Sequence, residues 1–325
     1  MAGITGQGTT YNLPNFVGEL FGVSTEDTPL LSAIGGLTGG KSANGSTLFT
    51  WQTYDLRDAD AGRQRVEGAD APGAEERTRG NDFNVLEIHQ EAAEVSYTKQ
   101  AATNNVQATN VLGSQPVRDE LAWQIQQALK QVARDVELGF ITGARTLPTT
   151  NATARKTGGL IEAITRGVTV NGTAKANVVE TAGDITAEHV LDAMQDAWDN
   201  GGLSEGETRT LITNSTLKRQ LTKLFVTDRN YQEATRNVGG VNLQTIETDF
   251  GLLNIMLDRY MPVDTLAIVS LGELSPVFLD IPGKGHFFAE PLAKVGASDK
   301  VQLYGEIGLE YGNALHHALV KVTAS

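Results

Sequence analysis

The sequence contains no cysteine, so neither disulfide bonds nor thiolate metal sites can stabilise the chain. Aromatic residues make up only 6% of it, whereas glycine occurs 35 times, which favours a chain rich in strands and turns. No stretch approaches the roughly 18 apolar residues that cross a membrane, and the start, MAGITGQGTTYNLPNF, lacks the basic and apolar regions of a secretory signal. We therefore expect a protein that folds in a reducing compartment, with no export by a standard signal and no membrane partner.

The chain also lacks any concentration of positive charge. Its net charge is −13, and its 26 Lys and Arg residues are scattered along the sequence. Tight binding of nucleic acid needs local positive charge to neutralise phosphates. We expect at most a loose, non-specific contact with double-stranded DNA, although the acidic balance is also explained by the solubility that an abundant protein needs.

The residues GGLTGGKS, from Gly35 to Ser42, match the phosphate-binding pattern G-x-x-x-x-G-K-[ST]. That pattern binds phosphate at the start of a following helix. Here Ala43, Asn44 and Gly45 predict a turn, and the β-branched and aromatic residues after them predict a strand. We therefore expect no nucleotide site.

No other pattern in the sequence predicts catalysis or a cofactor. The five histidines do not have metal-ligand spacing, and the adjacent pair near the C-terminus should point to opposite faces of a strand. They are His89, His189, His286, His316 and His317. No G-x-S-x-G motif is present, and carboxylate pairs such as Glu306 and Glu310 are commonplace. We expect no enzyme, with no catalytic, cofactor-binding or metal residues.

The first 48 residues contain only four charged side chains, which suits an extended arm that lies on another surface. Its apolar residues show only weak periodicity. We expect them to pack on a neighbouring molecule or on a distant part of the chain; the alternative is an arm that packs on its own domain. These residues are Phe16, Leu20, Phe21, Leu30, Leu31 and Ile34.

Two segments of strand type, TLFTWQTYDL from Thr47 and DFNVLEIHQEAAEVSYT from Asp82, flank a charged stretch. Residues 55–82 contain thirteen charges of both signs and almost nothing apolar. A loop of that length without a core of its own is either functional or disordered. The pattern predicts a long hairpin that projects from the body.

From about Ser114 to Gly139 the spacing of apolar residues predicts one long amphipathic helix. Gly139 or Gly143 should end it. Its predicted polar face comprises Arg118, Lys130, Arg134 and Glu137.

The remaining chain predicts a mixture of elements and an α+β class. RGVTVNGTAKA predicts a hairpin with a turn at Asn171 and Gly172. Thr186 should cap a second helix, with Ile185 and Val190 as a hydrophobic staple and Leu191, Met194, Ala197 and Trp198 on one face. A third helix should start near Asn214. The strands expected after it are LQTIET, LLNIML, TLAIV, PVFL, VQLYGEIGLEYGN and ALHHALVKV, with TRTLIT before it.

This order of segments resembles the Hong Kong 97-type capsid fold. The sequences EDTPLLSAIGG, STLFTWQTYDL, TDFGLLNIMLDRYMPVDTLAIV and FFAEPLAKVGASDKVQLYGEIGLEYGNALHHALVKV are similar to the actinophage and SU-ten-type branch of tailed-phage major capsid proteins. The resemblance implies an N-terminal arm at 1–48, an E-loop hairpin at 49–100, a P-domain spine helix region at 101–145, an A-domain with a P-domain hairpin at 146–285, and returning strands of the P- and A-domains at 286–325.

The same resemblance implies a structural role in the virion. The subunit would assemble in the cytoplasm of the bacterial host into pentamers and hexamers of an icosahedral shell around the double-stranded DNA genome. Implied partners are further copies of itself, a scaffolding protein, a portal and, optionally, a decoration protein. Ion pairs with adjacent subunits, each weak, are expected from the E-loop residues Arg57, Arg63, Arg65, Glu75, Glu76 and Arg79.

This chain differs from some members of that family in two respects, and each difference leads to a further expectation. Some relatives cross-link their shells through an E-loop lysine, but this chain has no lysine between Lys41 and Lys99, so mature particles should show no covalent ladder in denaturing electrophoresis. The arm is too short to include a fused scaffolding domain, so we expect a separate scaffolding protein and no N-terminal processing. The alternatives are another self-assembling virion or surface-layer component, such as a tail or decoration protein, and a phosphate-loop nucleotide-binding protein.

Overall fold

The computed structural model describes residues 26–54, 59–74, 79–101, 119–150, 152–170, 173–204, 208–228 and 244–323. They form two compact units. The first unit contains the described residues among Met1–Asp27, Gln90–Val132 and Phe288–Tyr304; the second contains those among Thr28–His89, Ala133–Phe287 and Gly305–Ser325. Across these ranges, no helix is both long and apolar enough to span a bilayer.

The chain contains helices together with sheets whose strands pair mostly in antiparallel register, which confirms the α+β class. The α-helices named below are α1 (Pro29–Ile34), α2 (Glu120–Thr142), α3 (Leu160–Arg166), α4 (Ala187–Asp199) and α5 (Ser215–Thr222). A π-helical turn (Lys223–Asp228) and two 3₁₀ turns (Leu271–Glu273, Ala314–His316) supplement them. The strands are β1 (Lys41–Ser42), β2 (Leu48–Tyr54), β3 (Arg79–Val85), β4 (Glu87–Ser96), β5 (Val168–Val170), β6 (Thr173–Lys175), β7 (Val178–Ala182), β8 (Arg209–Thr213), β9 (Thr245–Thr248), β10 (Gly251–Leu257), β11 (Thr265–Ser270), β12 (Ser275–Phe278), β13 (Phe287–Pro291), β14 (Ser298–Glu310) and β15 (Ala318–Thr323).

The first unit is built on strand pairing with polar contacts between the strands. β4 and β13 both pair with β14. The Ser298 hydroxyl donates to Glu94 at 2.6 Å, and the Gln90 amide donates to Gln302 at 3.0 Å. The Lys294 ammonium lies 2.9 Å from a carboxylate oxygen of Asp299. Because these side chains are mostly exposed, such pairs align the strands more than they stabilise them.

The second unit contains a six-stranded sheet in the order β7-β15-β11-β8-β10-β9. β7 is parallel to β15 and β8 to β10, and the other neighbours are antiparallel. Helices α4 and α5 pack on this sheet through one apolar cluster. Members of the cluster include Val190, Met194, Leu217, Leu221, Leu253, Leu266, Ile268 and Val320.

Both helix starts predicted in this region are confirmed. The Thr186 hydroxyl accepts from the His189 backbone N–H at 3.4 Å, and the His189 ring accepts from the Thr186 N–H, so histidine stands where a capping box usually has Glu or Gln. The Asn214 side chain accepts from the N–H groups of Thr216 and Leu217. Both caps are confirmed. Trp198, predicted on one face of α4 with Met194 and Ala197, is 54% exposed, whereas those two residues are buried.

Some short elements differ from the sequence prediction. The β5–β6 hairpin is confirmed, although its predicted turn at Asn171 and Gly172 lies outside the described residues. Helix α3 and strand β13 were not predicted, because α3 has no side-chain cap and β13 ends in a proline. His316 belongs to a 3₁₀ turn before β15 starts, so the expectation of two adjacent strand histidines is wrong.

Helix α2 is the predicted long helix with shifted ends. Asp119 caps it by accepting from the N–H groups of Leu121 and Ala122, and the last helical residue is Thr142. Gly139 lies inside the helix, whereas a Cβ at Gly143 would lie 2.4 Å from the Gly139 carbonyl oxygen, so Gly143 marks the end. Residues 114–118, including Arg118 of the predicted polar face, lie outside the described part.

The placement of Glu137 on the polar face of α2 is wrong. Its side chain is fully buried, and its two oxygens accept from the backbone N–H groups of Leu30 and Leu31 at 2.7 and 2.6 Å. Helix α1 has no side-chain cap of its own at Thr28, so Glu137 satisfies N–H groups that its first turn leaves without helical partners. Leu30 and Leu31 are therefore buried against a distant part of their own chain, one of the two arrangements expected for the arm.

Candidate functional surfaces and buried polar sites

The predicted charged hairpin is present, and the described residues of its loop are exposed. β2 and β3 pair in antiparallel register from Leu48↔Val85 to Tyr54↔Arg79. Residues 59–74 between them form no helix or strand, and all are exposed. Of the six predicted contact residues, Arg63, Arg65 and Arg79 are exposed; Arg57, Glu75 and Glu76 lie outside the described residues.

Several charges in the described part of the hairpin have no partner among the described residues. Arg63 lies 3.7 Å from Asp60, an i,i+3 contact that contributes little to stability. Arg65, Glu67 and Asp70 form no hydrogen bond or ion pair with the residues that the structure describes. Val66 beside them is 80% exposed. The described part of the hairpin therefore exposes charged side chains and one apolar side chain that other molecules can contact.

The base of the hairpin, by contrast, is held by a polar cluster. Asp82 on β3 accepts a hydrogen bond from the Tyr311 hydroxyl at 3.0 Å and lies 3.5 Å from the Arg166 guanidinium and 3.7 Å from that of Arg145. The pKa of Tyr311 is raised, first by burial and then by the negative charge of Asp82, so the hydroxyl keeps the proton that it donates. The Trp51 indole donates to a backbone carbonyl at 2.7 Å, which holds the first strand of the hairpin.

Asn84 joins three segments of the second unit and is completely buried. Its amide nitrogen donates to the carbonyls of Gly158 and Leu309 at 2.9 and 2.7 Å. Its carbonyl oxygen accepts from the N–H groups of Gly158 and Val85 at 2.8 and 2.9 Å. All the hydrogen-bonding capacity of this side chain is thus used.

We expect Asn84→Ala to lower the free energy of unfolding by about 3 kcal/mol, because it leaves several buried backbone groups without partners. Urea denaturation followed by circular dichroism measures this loss. Asn81→Ala, at an exposed position of the same strand, is the control and should cost less than about 0.5 kcal/mol. Equal effects of the two substitutions would contradict the assignment.

A second buried site pairs two carboxyl groups. Asp258 is 2% exposed; one of its oxygens accepts from the Tyr260 N–H at 2.8 Å, and the other, buried as well, has no hydrogen-bond partner among the described residues. The pKa of Glu137 is raised to about 8, first by burial and then by the neighbouring Asp258 carboxyl. A proton on Glu137 would give the buried Asp258 oxygen a donor, so we expect the pair to share one proton at neutral pH.

The phosphate-binding pattern has a structural explanation. Lys41 and Ser42 form β1, which runs parallel to β12, and β2 is the next element, so no helix follows the motif. The Lys41 ammonium lies 2.8 Å from Glu310. Gly40 has φ = +153°, and a Cβ there would lie 2.3 Å from the Pro276 carbonyl oxygen, so glycine is required by the strand packing.

The five histidines occupy separate structural positions. His189 caps α4, His89 lies 2.9 Å from Glu87, and His286 lies 3.1 Å from Asp280. His316 lies 2.5 Å from Glu273, and the buried His317 contacts the Tyr311 carbonyl oxygen. Among the described residues, no three His, Asp or Glu side chains are grouped as a metal site requires.

Known structures share this arrangement over almost the whole chain. The capsid of cyanophage P-SCSP1u matches with a TM-score of 0.65 and 10% identity, over 97% of this chain and 94% of that chain. The cyanophage A-1(L) capsid matches with a TM-score of 0.65 and 12% identity, over 98% and 99% of the two chains. The capsid of Myoviridae phage XM1 gives 0.60 and 14%, over 98% and 99%. These likenesses show the fold, which is the Hong Kong 97-like capsid fold that the sequence resembles.

Similarity in sequence points to the same group of proteins. The major capsid protein of Escherichia phage Phieco32 is 31% identical over 125 residues, which are 38% of this chain. The matched region spans about a third (31%) of the length of that relative. The model of the SU10 major capsid protein family matches residues 3–324, so this chain belongs to the SU10 major capsid protein family.

Proposed function

We infer that this chain is the subunit from which a tailed phage builds the closed shell of its virion. The main support for this function is the family match, because it covers residues 3–324, almost the whole chain. The resemblance of the sequence to these proteins implies association through pentamers and hexamers into an icosahedral shell around double-stranded DNA. Assembly would take place in the cytoplasm of the host.

The proposed shell needs contacts between copies, and the hairpin is suited to make them. The described part of its loop (59–74) is exposed, its base is fixed by Asp82 and Trp51, and several of its charges have no partner among the described residues. A fixed base with exposed charges in its described loop is the arrangement expected of a segment that reaches a neighbouring subunit. We propose that Arg57, Arg63, Arg65, Glu75, Glu76 and Arg79 make these inter-subunit contacts.

The division into arm, E-loop hairpin, spine helix region, A-domain and returning strands, with the boundaries given above, is part of the same proposal. Scaffolding protein and portal are its proposed partners, with a decoration protein as an optional one. The net charge of −13 supports a container whose contact with packaged DNA is loose, because like charges repel.

Electron microscopy of the purified chain, alone and with a candidate scaffolding protein, tests this function. We expect closed shells, or rings of five and six subunits. A small soluble oligomer under all conditions would contradict the proposal, and nucleotide binding by that oligomer would favour the phosphate-loop alternative.

Reversing two hairpin charges, with Arg63→Glu and Arg65→Glu together, should reduce the yield of shells by about tenfold or more, because like charges then face each other in every repeated contact. The yield is measured by sedimentation and counting of particles. The control is Arg63→Lys with Arg65→Lys, which preserves the charge and should assemble nearly as well as the parent chain. Equal shell yields for both double variants would show that these hairpin arginines do not contribute to the contact between subunits.

A further inference from the structure

Helix α4 presents an acidic stripe to solvent. Glu188, Asp192, Asp196 and Asp199 recur along it at spacings of three or four residues, and all four are exposed. Like charges at this spacing destabilise a helix, so the stripe is not explained by the stability of α4 itself.

An exposed aromatic residue lies on the same helix. Trp198 is 54% exposed, and its ring centroid lies 6.3 Å from that of Phe250. Tryptophan is strongly enriched among the residues that dominate binding at protein interfaces. Asp199 follows Trp198 directly, but consecutive helical residues point about 100° apart, so Trp198 flanks the acidic stripe on the exposed side of the same helix. We refer to Asp192, Asp196, Asp199 and Trp198 together as the acidic face.

The acidic face is only partly neutralised within the chain. The pKa of Asp196 is raised by its partial burial and then by the negative charges of Asp192 and Asp199, while Lys175 opposes the rise. Lys175 is itself held at 2.5 Å by the Asn200 side chain. A further cation from outside would relieve the repulsion among these carboxylates.

Helix α5 presents the opposite charge on a concave surface. Arg219 and Lys223, one turn apart, line a cavity of about 440 Å³ together with Ser215, Thr216 and Gln220. Both cations are exposed, and neither forms an ion pair with any residue that the structure describes. We refer to this surface as the basic cavity.

The polar groups of the basic cavity are also incompletely satisfied. The Gln220 amide nitrogen donates to Asp184 at 3.2 Å, but its carbonyl oxygen is buried without a hydrogen-bond partner in the described part of the chain. The hydroxyls of Ser215 and Thr216 can donate to a carboxylate as readily as they accept. The two cations and two hydroxyls of the cavity can bind an acidic group, whereas the Gln220 carbonyl oxygen needs a donor such as an N–H group.

We propose that the acidic face of one copy docks on the basic cavity of a second copy. The occupant is a second copy because the chain itself supplies both complementary surfaces, and electrostatic complementarity of this kind selects partners and orients them. The two surfaces are different, so the contact is heterologous, and a heterologous contact generates rings when its rotation closes. The inference rests on the proposed shell function and names the surfaces that would join subunits within a ring.

Packaged DNA is the competing occupant of the basic cavity. Its phosphates would be attracted by Arg219 and Lys223, but the acidic face and the net charge of −13 would repel them. DNA also leaves the exposed Trp198 without a partner, whereas a second copy accounts for both surfaces.

Charge reversal with rescue tests the contact. One variant carries Arg219→Glu and Lys223→Glu, another carries Asp196→Lys and Asp199→Lys, and a third combines all four and so keeps the parent net charge. We expect each pair alone to reduce the yield of rings and shells by about tenfold or more, and the combined variant to recover most of it. Trp198→Ala should reduce the yield with no change of charge, and Lys156→Glu, at another exposed lysine of the second unit, should leave it unchanged.

Each outcome decides between the two proposals. Circular dichroism and thermal unfolding of the unassembled variants ensure that only folded chains are compared. Normal assembly of both reversed pairs, or no recovery in the combined variant, would overturn the docking inference while the shell function stands. Normal assembly with a loss of DNA retention only in the Arg219 and Lys223 variant would assign the cavity to DNA instead. Failure of the parent chain to form rings or shells would count against the shell function itself.

Discussion

Replacement of Glu137 by alanine should lower the free energy of unfolding by about 3–5 kcal/mol, one of the largest effects expected of any single substitution in this chain. The change removes the acceptors of two buried N–H groups, at Leu30 and Leu31, and leaves Asp258 as an isolated buried carboxyl. Each of these groups then bears a desolvation cost that no new contact offsets.

Chemical denaturation of the unassembled protein, followed by circular dichroism, measures this effect. The matched control is Asp135→Ala, which removes an exposed carboxylate from the same helix and should change the free energy of unfolding by less than about 0.5 kcal/mol. A small effect at Glu137, comparable to that at Asp135, would mean that its carboxyl does not hold α1.

A rise of pH from about 4.5 to about 8 should weaken the folded state through the same carboxyl pair. The pKa of Glu137 is raised from 4.5 to about 8 in the folded chain. The unfolded chain therefore releases this proton above pH 4.5, while the folded chain retains it up to about pH 8. The stabilisation is complete below pH 4.5, declines across that interval by up to about 1.4 kcal/mol per pH unit, and then levels off.

Asp258→Asn isolates this contribution from other titrating groups. Its amide nitrogen can donate to the ionised Glu137 carboxylate without a shared proton, and its oxygen can still accept from the Tyr260 N–H. The difference in free energy of unfolding between the parent and this variant should therefore shift in favour of the variant as the pH rises. Parallel pH profiles for the two proteins would show that the carboxyl pair does not share a proton.

The carboxyl pair also has a place in the proposed assembly. Helix α1 lies within the segment proposed as the N-terminal arm, and α2 is the proposed spine helix. Glu137 thus joins the end of the arm to the spine. We expect that alkaline pH, or Glu137→Ala, increases hydrogen exchange at the amides of Leu30 and Leu31 before the rest of the second unit unfolds.

Local chemistry was sufficient to predict many elements of this fold. Thr186 and Asn214 cap helices because a side-chain oxygen close in sequence satisfies the first helical N–H groups. The strands of the charged hairpin follow from β-branched and aromatic residues, and its exposed loop follows from the lack of apolar residues between them. The family resemblance supplied the capsid fold, which matches the solved capsids.

The sequence by itself therefore determined most of the strands, the starts of α4 and α5, the charged hairpin and the family, since these depend on neighbours a few residues apart or on patterns along the whole chain. Only the tertiary structure decided the roles of Glu137, Asn84 and Tyr311. Their partners lie 106 residues away at Leu31, 74 at Gly158 and 229 at Asp82. A carboxylate in a helix is expected to be exposed to solvent unless a distant segment supplies backbone N–H groups to it. The local sequence does not indicate which segment that is.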